Sequence, residues 1–441
     1  MVWYGMAWYG MVWWQGFVQG FSSRQAGWLT YRFSLLYKGG HTKAASYLSF
    51  PKHAASHGTA VAAQIARLEL ANIWAMHKFA RDNNIACDAV ECGTVDVHYD
   101  AGGWEEAVRA VEEMQKVLGK GDPAGEYELY SREEVLERFH VGDGVFRGKE
   151  EKVCGGVGYA AGSISAYKFT VGMLKMCLAW GMNLQTGTAV LGLAGDGQLG
   201  WTVITERGVV RAGSVVLATN GYTAALAPEF QEVIMPFRGQ ISAQRPGKNL
   251  PDGGCLPTTY SFIYEGGGYE YMVPRPKGTR YEGDIIMGGG LLRASSENGL
   301  EEFGTTDDTT LNTTIREYLA EASPRYFGSN WGEDDPAGRV RKEWTGIMGH
   351  SADGLPLVGE VPLRSGLWAS CSFQGNGMAL CWMCGKALVA IMDDQEDENR
   401  LDSWFPSVFR ISDERMAKRF DPSPLGHRQQ EKETSADRGA G

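Results

Sequence analysis

The chain has 441 residues, of which 43% are hydrophobic and 22% are charged, and its formal net charge is −11. The length suggests two or three folding units around a large core, and the acidic balance argues against a nucleic-acid partner. No uninterrupted apolar stretch is long enough to predict a membrane span, so no membrane partner is expected. Glycine supplies 59 residues, about 13% against the usual ~7%, which is typical of chains with many tight turns and close cofactor contacts.

Eight cysteines are spread along the chain, unlike the dense framework of a small secreted domain. They predict reduced thiols and a cytoplasmic location, with the mitochondrion as the alternative. Cys381 and Cys384 have redox-motif spacing. Because both lie in an apolar helical run, core packing is the favoured interpretation. No metal ligands are predicted.

The first 37 residues differ from the rest of the chain. They contain a five-residue repeat, MVWYG-MAWYG-MVWWQ, and the first acidic residue of the chain is Glu69. We assign no strand followed by a glycine-rich phosphate loop in this segment. It is interpreted as a translated intron or a misplaced start, with a mitochondrial presequence as the alternative.

Four segments have the pattern of helices. Apolar residues recur at helical spacing over 58–81, and a second helix is predicted over 104–118. The S-x-x-E sequence at 131–134 has the spacing of a capping box before a further short helix. Residues 167–180 predict a mostly buried helix that ends before a glycine.

Strand patterns dominate the middle of the chain. Short strands with glycine turns are predicted over 188–221, and alternation over 231–295 predicts an antiparallel sheet. Gly195–Gly200 matches G-x-G-x-x-G, but a β pattern follows where a dinucleotide site requires a helix. We interpret these glycines as a hairpin turn and reject the nicotinamide enzyme that they would otherwise suggest. The glycines of 156–162 are interpreted as a backbone bend over a ligand or a domain junction.

Two strand–loop segments are typical of the ligand-binding edge of a parallel sheet. Ser214–Tyr222 is a short apolar run that ends in a small-residue loop. Phe373–Met378 leads from a strand into a nearly apolar helix. Backbone N–H groups at such a helix start can bind an anion or a carbonyl oxygen. For each segment the alternative is an ordinary turn of an α/β fold, which does not determine function.

Five segments follow one another in a characteristic order. They are KGGHT (38–42), ATNGY (218–222), MPFRGQ (235–240), EWTGIMGHSADGLPLVGEVP (343–362) and GLWASCSFQGNGMAL (366–380). Together they resemble the FAD-dependent oxidoreductases of the D-amino-acid oxidase superfamily, particularly its fungal members. The resemblance covers about residues 38–410 and implies FAD as the cofactor.

The resemblance implies a mixed α/β (α+β) fold. A glutathione-reductase-like FAD-binding Rossmann domain, here N-terminally incomplete, would be interleaved with a substrate domain built on a large antiparallel sheet. The predicted ranges are 38–85, 163–228 and 343–410 for the FAD-binding domain and 86–162 and 229–342 for the substrate domain. Outside them lie an atypical Trp/Gly-rich segment, 1–37, and a C-terminal extension, 411–441, predicted to be disordered from about residue 421.

Family roles carry over only to positions that match its motifs. The positions implied to contact FAD are Gly39, Gly40, His41, Val190, Ala218, Thr219, Asn220, Gly221, Asp353, Gly354, Pro356, Gly375, Asn376, Gly377 and Met378. His41 would lie beside the flavin and is a candidate catalytic residue, with the capping of a turn as the alternative. The strand, G-x-G-x-x-G loop, helix and acid-terminated second strand that open the family's sequences are predicted to be missing before Lys38.

The predicted reaction is oxidation of a C–N bond in a small amine or amino acid by hydride transfer to FAD, with dioxygen as a candidate acceptor. A substrate carboxylate would need a cation, and Arg238, Arg275 and Arg293 are the candidates, Arg275 also as a catalytic residue. Tyr269 or Tyr271 would line the pocket. The alternatives are a dehydrogenase that passes electrons to a carrier, and a non-catalytic remnant or truncated gene model that has lost FAD binding.

Overall fold

The computed structural model describes residues 2–5, 28–31, 39–196, 200–294, 299–393 and 398–420. The strands are β1 (Val2–Gly5), β2 (Trp28–Tyr31), β3 (His41–Lys43), β4 (Val90–His98), β5 (Tyr127–Ser131), β6 (Gly144–Phe146), β7 (Lys149–Glu151), β8 (Gly155–Ser163), β9 (Asn183–Thr186), β10 (Val190–Asp196), β11 (Gly200–Thr205), β12 (Gly208–Ala212), β13 (Val215–Ala218), β14 (Ile234–Gln244), β15 (Thr258–Tyr264), β16 (Gly268–Pro274), β17 (Ile285–Gly288), β18 (Val340–Ser351), β19 (Leu357–Glu360) and β20 (Leu367–Cys371). The helices are α1 (Ser46–His57), α2 (Thr59–Asp82), α3 (Ala101–Leu118), α4 (Arg132–Phe139), α5 (Ala166–Ala179), α6 (Thr223–Leu226), α7 (Leu291–Ala294), α8 (Thr313–Phe327), α9 (Gly377–Asp393), α10 (Glu398–Asp402) and α11 (Asp413–Ala417). Among these described residues, no helix combines the length and the apolar character needed to cross a membrane.

The four predicted helices are confirmed, but α5 is not mostly buried as expected, because Tyr167 and Leu178 on its outer side are exposed. Helix α3 begins earlier than predicted because the Asp100 side chain caps it, accepting a hydrogen bond from the Gly103 N–H. At α4 the predicted capping box is present, with Ser131 and Glu134 each bonding the other's backbone. These local signals fix where the helices begin, and tertiary packing of their apolar faces then stabilises them.

The first sheet has six strands in the order β19-β20-β13-β1-β2-β9. Strands β20, β13, β1, β2 and β9 run parallel, and β19 pairs antiparallel with β20. Helix α9 packs near β19 and β20, and its buried face belongs to a core cluster that includes Phe169 of α5. This is the mixed α/β arrangement that the resemblance implied, with a parallel nucleotide-binding type of sheet.

The prediction that the opening strands are missing before Lys38 is wrong. Strand β1 lies in the centre of the six-stranded sheet, in register with β13 from Val2 opposite Val215 to Gly5 opposite Ala218. Strand β2 pairs with β1 on its other side. A parallel strand that lies between two neighbouring strands lacks polar–apolar alternation. The four residues of β1, which belong to the aromatic repeat, therefore have no sequence pattern that predicts a strand. Residues 6–27 lie outside the described residues, so the missing phosphate loop stays a prediction.

The second sheet has nine strands. Its order is β18-β14-β17-β16-β15-β4-β8-β3, and β5 also pairs with β8. One face is covered by α8 and α4 and forms a core cluster with apolar side chains of β4, β15, β16 and β17. The opposite face, which we call the site face, carries the other side chains of the same strands, and at its β8 end it packs against α1, α2 and α3. The antiparallel pairing predicted over 231–295 is confirmed for β14, β15, β16 and β17.

Strand β3 and most of strand β18 come from ranges predicted to belong to the FAD-binding domain. Strand β18 pairs with β14 along its length, and β3 pairs with β8. The nine-stranded sheet is therefore built partly from chain segments that were assigned to the FAD-binding domain. The predicted domain boundaries themselves stay a prediction.

The interpretation of the glycines at 156–162 as a backbone bend is wrong. They lie in β8, which pairs with β4, β5 and β3. A Cβ at Gly158 would lie 2.5 Å from the Tyr130 ring, and one at Gly162 would lie 2.7 Å from His77. These glycines are needed because large side chains of neighbouring elements pack directly against the strand backbone.

The rejected dinucleotide pattern is confirmed as part of a hairpin. Strands β10 and β11 pair antiparallel, with Asp196 opposite Gly200. Strand β12 completes this three-stranded sheet, and no helix follows the glycines at this place in the described chain. The residues 197–199 at the tip lie outside the described residues.

Candidate functional site

Two loops at the carboxyl edge of the six-stranded sheet are joined by Asn220. This residue follows β13 and has a φ of 46°, in the left-handed region that asparagine tolerates better than most residues. Its Oδ1 accepts hydrogen bonds from the backbone N–H groups of Ser372, at 2.9 Å, and Phe373, at 3.3 Å. The amide thereby fixes the loop after β13 against the loop after β20, and both loops lie where α/β sheets bind ligands.

Replacing Asn220 with alanine is expected to lower the free energy of unfolding by about 2–3 kcal/mol, because two buried N–H groups lose their acceptor. FAD affinity is expected to fall as well, since the two loops lose their fixed separation. Chemical denaturation and flavin titration measure both effects. The variant Asn220→Gly is the control, because glycine keeps the positive φ and removes only the amide; if Asn220→Gly is fully stable, the hydrogen bonds are unimportant.

The edge strand β18 closes this junction on the side of the nine-stranded sheet. A Cβ at Gly221 would lie 2.3 Å from the carbonyl oxygen of Met348, and one at Gly349 would lie 2.8 Å from Asn220 Oδ1. The neighbouring Ala218 and Thr219 are buried, and the Thr219 hydroxyl is hydrogen-bonded to a threonine in the following turn. Small residues are required here because the two sheets approach each other at backbone distance.

The loop from β20 into α9 has an unusual run of backbone conformations. Ser372, Gln374 and Gly375 all have positive φ, between 52° and 75°. Asn376 then turns the chain, its N–H donating to the Phe373 carbonyl, and Gly377 begins the 17-residue helix α9. The first N–H groups of such a helix have no partner within the helix and can bind an anionic or carbonyl oxygen.

Helix α9 is held by the core beneath this loop. The Met378 carbonyl accepts a hydrogen bond from the Asn72 side-chain amide, whose oxygen accepts from the Met383 N–H. Cys381 and Cys384 are both buried, and burial raises the pKa of the Cys384 thiol. Core packing of this cysteine pair, as predicted, is therefore confirmed.

The predicted flavin loop at 39–41 lies at the other end of the site face. A Cβ at Gly39 would lie 2.3 Å from the Tyr271 ring, and one at Gly40 would lie 1.9 Å from the Ile164 carbonyl oxygen. His41 Nε2 is hydrogen-bonded to Thr259 Oγ1 at 2.7 Å. Burial, and next the charge of a neighbouring lysine, lower the pKa of His41 well below its ordinary value. The imidazole is therefore neutral and cannot serve as a cation for a substrate.

The segment 353–356 is fixed by a residue that the sequence did not single out. Arg415 of α11 forms a two-point ion pair with Asp353, at 2.7 and 2.9 Å, and also donates to the Pro356 carbonyl at 2.8 Å. Gly354, with a φ of 74°, makes the turn between them. The Asp353 carboxylate thus holds its own loop in place, and contact of this loop with the flavin stays a prediction.

Val190 lies apart from these loops, at the start of β10. It is buried in the core cluster that joins the three-stranded sheet to β13 and β20. Its predicted position beside the adenine stays a prediction, and packing accounts for its burial.

All three candidate arginines already have carboxylate partners. The ion pairs are Arg238 with Glu302, Arg275 with Asp88, and Arg293 with Glu151. Arg238 and Arg293 lie on the helix-covered side of the nine-stranded sheet, where Arg293 also packs over the Tyr264 ring. Arg275 follows β16 and lies on the same side as Tyr271, so its catalytic assignment stays a prediction. Tyr269 and Tyr271 both lie on the site face, where the residue Tyr269 is half exposed.

Sequence reasoning missed a polar cluster on this face. Lys43 of β3 donates hydrogen bonds to Asp96 and to Ser261, both at 2.6 Å. Tyr47 and Tyr159 donate to the other oxygen of Asp96. These residues are far apart in the sequence, and only the lysine directly after the KGGHT segment was a local signal for it.

A second signal was overlooked at the end of β1. Gly5 is followed by Met6-Ala7-Trp8-Tyr9-Gly10. Glycines therefore occupy the first and last positions of a G-x-G-x-x-G pattern, with Ala7 in the middle position, which normally lets the backbone approach a pyrophosphate.

The residues of the junction and of the segment before β3 fit FAD. At Gly39, Gly40 and Gly221 the backbone lies so close to neighbouring residues that any side chain would collide with them. The loop before α9 offers N–H groups for a polar edge, and the buried Trp344 Nε1 on the site face has no hydrogen-bond partner among the described residues. Such unpaired buried donors suit a ligand with acceptor atoms on its rim.

Comparison with known proteins gives a family match over most of the chain. The family described as FAD dependent oxidoreductase matches residues 14–391. The glycine oxidase of Pseudomonas aeruginosa is 24% identical over 217 residues, which are 49% of this chain and 51% of that protein. A bifunctional protein of tRNA 5-methylaminomethyl-2-thiouridine biosynthesis from Shewanella amazonensis is 26% identical over 289 residues, 65% of this chain and 37% of that protein. The matched segments thus span about half or less of these curated relatives.

Solved structures match in fold. The glycine oxidase of Geobacillus kaustophilus has a TM-score of 0.67 and 17% identity, covering 93% of this chain and 98% of that chain. The L-proline dehydrogenase of P. horikoshii has a TM-score of 0.62 and 16% identity, covering 92% of this chain and 96% of that chain. These two matches show a likeness of fold.

Proposed function

Because this chain belongs to the family of FAD-dependent oxidoreductases, we propose that it oxidises the C–N bond of a small amine or amino acid. The observation that supports this most directly is the junction between the two sheets. There the loops held by Asn220 lie at the carboxyl edge of the parallel sheet and contact β14 and β18 of the nine-stranded sheet, whose site face also carries Tyr271 and Lys43. Relatives and neighbours that act on glycine, L-proline, D-amino acids and iminodiacetate by their names support the same substrate range.

FAD, when bound, supplies the acceptor for the hydride that leaves the carbon next to nitrogen. The chain's own part is to hold FAD and substrate and to exclude water. The loops at 218–221 and 372–378 would hold the flavin and the ribityl chain, and the glycines before His41 would let the β3 segment approach the flavin edge. Neutral His41, fixed by Thr259, would present an uncharged surface to the substrate. The substrate nitrogen loses one proton, and water then hydrolyses the released imine.

The first experiment incubates the purified chain with FAD, removes the excess and records the visible spectrum. We expect flavin bands to remain with the protein. Glycine, D-alanine, L-proline and iminodiacetate are then mixed with it under anaerobic conditions, and at least one is expected to bleach the flavin. Reoxidation by dioxygen would identify an oxidase, and reoxidation only by an artificial carrier would identify a dehydrogenase. A chain that retains no flavin would instead be the non-catalytic remnant.

A further inference from the structure

The ammonium group of Lys43 is held on the site face and can donate one further hydrogen bond. Its Nζ donates to Asp96 Oδ1 and to Ser261 Oγ, each at 2.6 Å. The side chain is 15% exposed. Because an ammonium group has three N–H donors, one remains for a ligand after these two bonds.

Asp96 is itself fixed by other residues. Its carboxylate is fully buried and accepts hydrogen bonds from the hydroxyls of Tyr47, at 3.1 Å, and Tyr159, at 2.7 Å. Burial acts to raise the pKa of Asp96, but the charge and hydrogen bond of Lys43 outweigh burial and lower it. The aspartate therefore stays ionised and orients the lysine before any ligand arrives.

The surroundings of Lys43 place it near Tyr271 and the segment before β3. Ser261, its second acceptor, lies directly opposite Tyr271 in the pairing of β15 with β16. The Tyr271 ring packs against Gly39, two residues before the start of the segment that carries Lys43. The lysine, the tyrosine hydroxyl and the predicted flavin loop thus converge on one part of the site face.

The candidate arginines are less well placed. Arg238 and Arg293 lie on the opposite side of the sheet. Arg275 lies four residues beyond Tyr271, about 13 Å along an extended chain, and shares Asp88 with the exposed Lys168.

We propose that Lys43 binds the carboxylate of the substrate, with Tyr271 as a neighbouring donor, and so makes this site selective for amino acids over simple amines. This rests on the proposed function. A charge-assisted hydrogen bond to Lys43 strengthens binding of the carboxylate form, whereas an amine that lacks a carboxylate gains nothing from it.

The test uses the FAD-loaded chain and a double variant, Lys43→Met with Asp96→Asn. Removing both charges avoids leaving a buried aspartate without its cation, which would destabilise the fold. The matched control is Arg341→Met with Asp284→Asn, an ion pair of the same sheet that involves a buried aspartate away from the site. Thermal unfolding checks that both double variants are folded.

Two readouts separate carboxylate binding from a structural role. Flavin absorbance follows titration with acetate as a carboxylate probe, and anaerobic flavin reduction compares D-alanine with ethylamine. In the Lys43 double variant we expect the Kd for acetate and the KM for D-alanine to rise by about 10- to 100-fold. The rate of flavin reduction by ethylamine should not change. The control should behave like the parent chain.

Each result has one meaning. If the folded Lys43 double variant binds acetate and discriminates as the parent does, or if Arg275→Met removes the discrimination instead, the inference is overturned. If the parent chain binds FAD and acetate but none of the amines reduces it, the proposed function fails while the assignment of Lys43 as the carboxylate site stands. A parent chain that retains no FAD overturns both.

Discussion

The variant Gly40→Ala is expected to lose FAD binding and to lower the free energy of unfolding by about 2–5 kcal/mol, through left-handed strain plus overpacking. Gly40 has a φ of 73°, and its Cβ would lie 1.9 Å from the carbonyl oxygen of Ile164. The Ile164 N–H also donates to the Gly40 carbonyl at 2.9 Å. The backbone is therefore held from both sides, and relief of the clash must move β3, which carries His41 and Lys43.

The control for this variant is Gly266→Ala. Gly266 has a similar φ of 79°, but no atom lies within 4 Å of its added Cβ. It should lose only about 1–2 kcal/mol from the left-handed conformation and should keep its FAD affinity. Urea denaturation and flavin fluorescence measure the two variants side by side. Equal losses of stability would show that Ile164 can move aside, and retention of FAD by Gly40→Ala would place the cofactor away from β3.

The elements that the sequence predicted are those whose signals are local. Helix α2 follows from apolar spacing within its own 24 residues, and α4 from the Ser131 capping box. The reading of Gly195–Gly200 as a hairpin needed only the β pattern that follows it. The prediction missed strand β1 because this strand is stabilised by pairing with β13, more than 200 residues away. Four residues such as VWYG contain no periodicity of their own.

The residues of the candidate site were likewise predicted only where the sequence signal is local. Asn220 and the loop before α9 were found because short motifs surround them. Lys43 was missed because its partners Asp96 and Ser261 are 53 and 218 residues distant. Asp353 was found, but its role as the partner of Arg415 was not, since that pairing crosses 62 positions into the predicted C-terminal extension. Motifs therefore indicated which loops matter, and only the fold showed which charges are already neutralised.

The variant Arg415→Met is expected to lower the free energy of unfolding by about 3–5 kcal/mol, because it leaves the buried Asp353 carboxylate with only the more exposed Lys418, 3.9 Å away, as a cation. The side chains of Arg415 and Asp353 are only 8% and 10% exposed. Adding Asp353→Asn should restore part of the loss. The control is Lys78→Met, whose partner Asp82 lies one helical turn away with both side chains exposed. Its loss should stay below about 0.5 kcal/mol.

The pH dependence of the Arg415→Met effect distinguishes a charge effect from a loss of packing. Burial acts to raise the pKa of Asp353, but Arg415 outweighs it, and the pKa in the folded chain lies below the ordinary 3.8. The ion pair therefore stabilises the fold above that pH, and this contribution is lost as the pH falls through the lower folded value. In Arg415→Met burial prevails and raises the pKa, so protonation on acidification relieves the stranded charge. The stability gap between parent and variant should consequently shrink as the pH falls from the raised pKa of the variant through the lowered pKa of the parent, whereas a packing defect would leave a gap that does not change with pH.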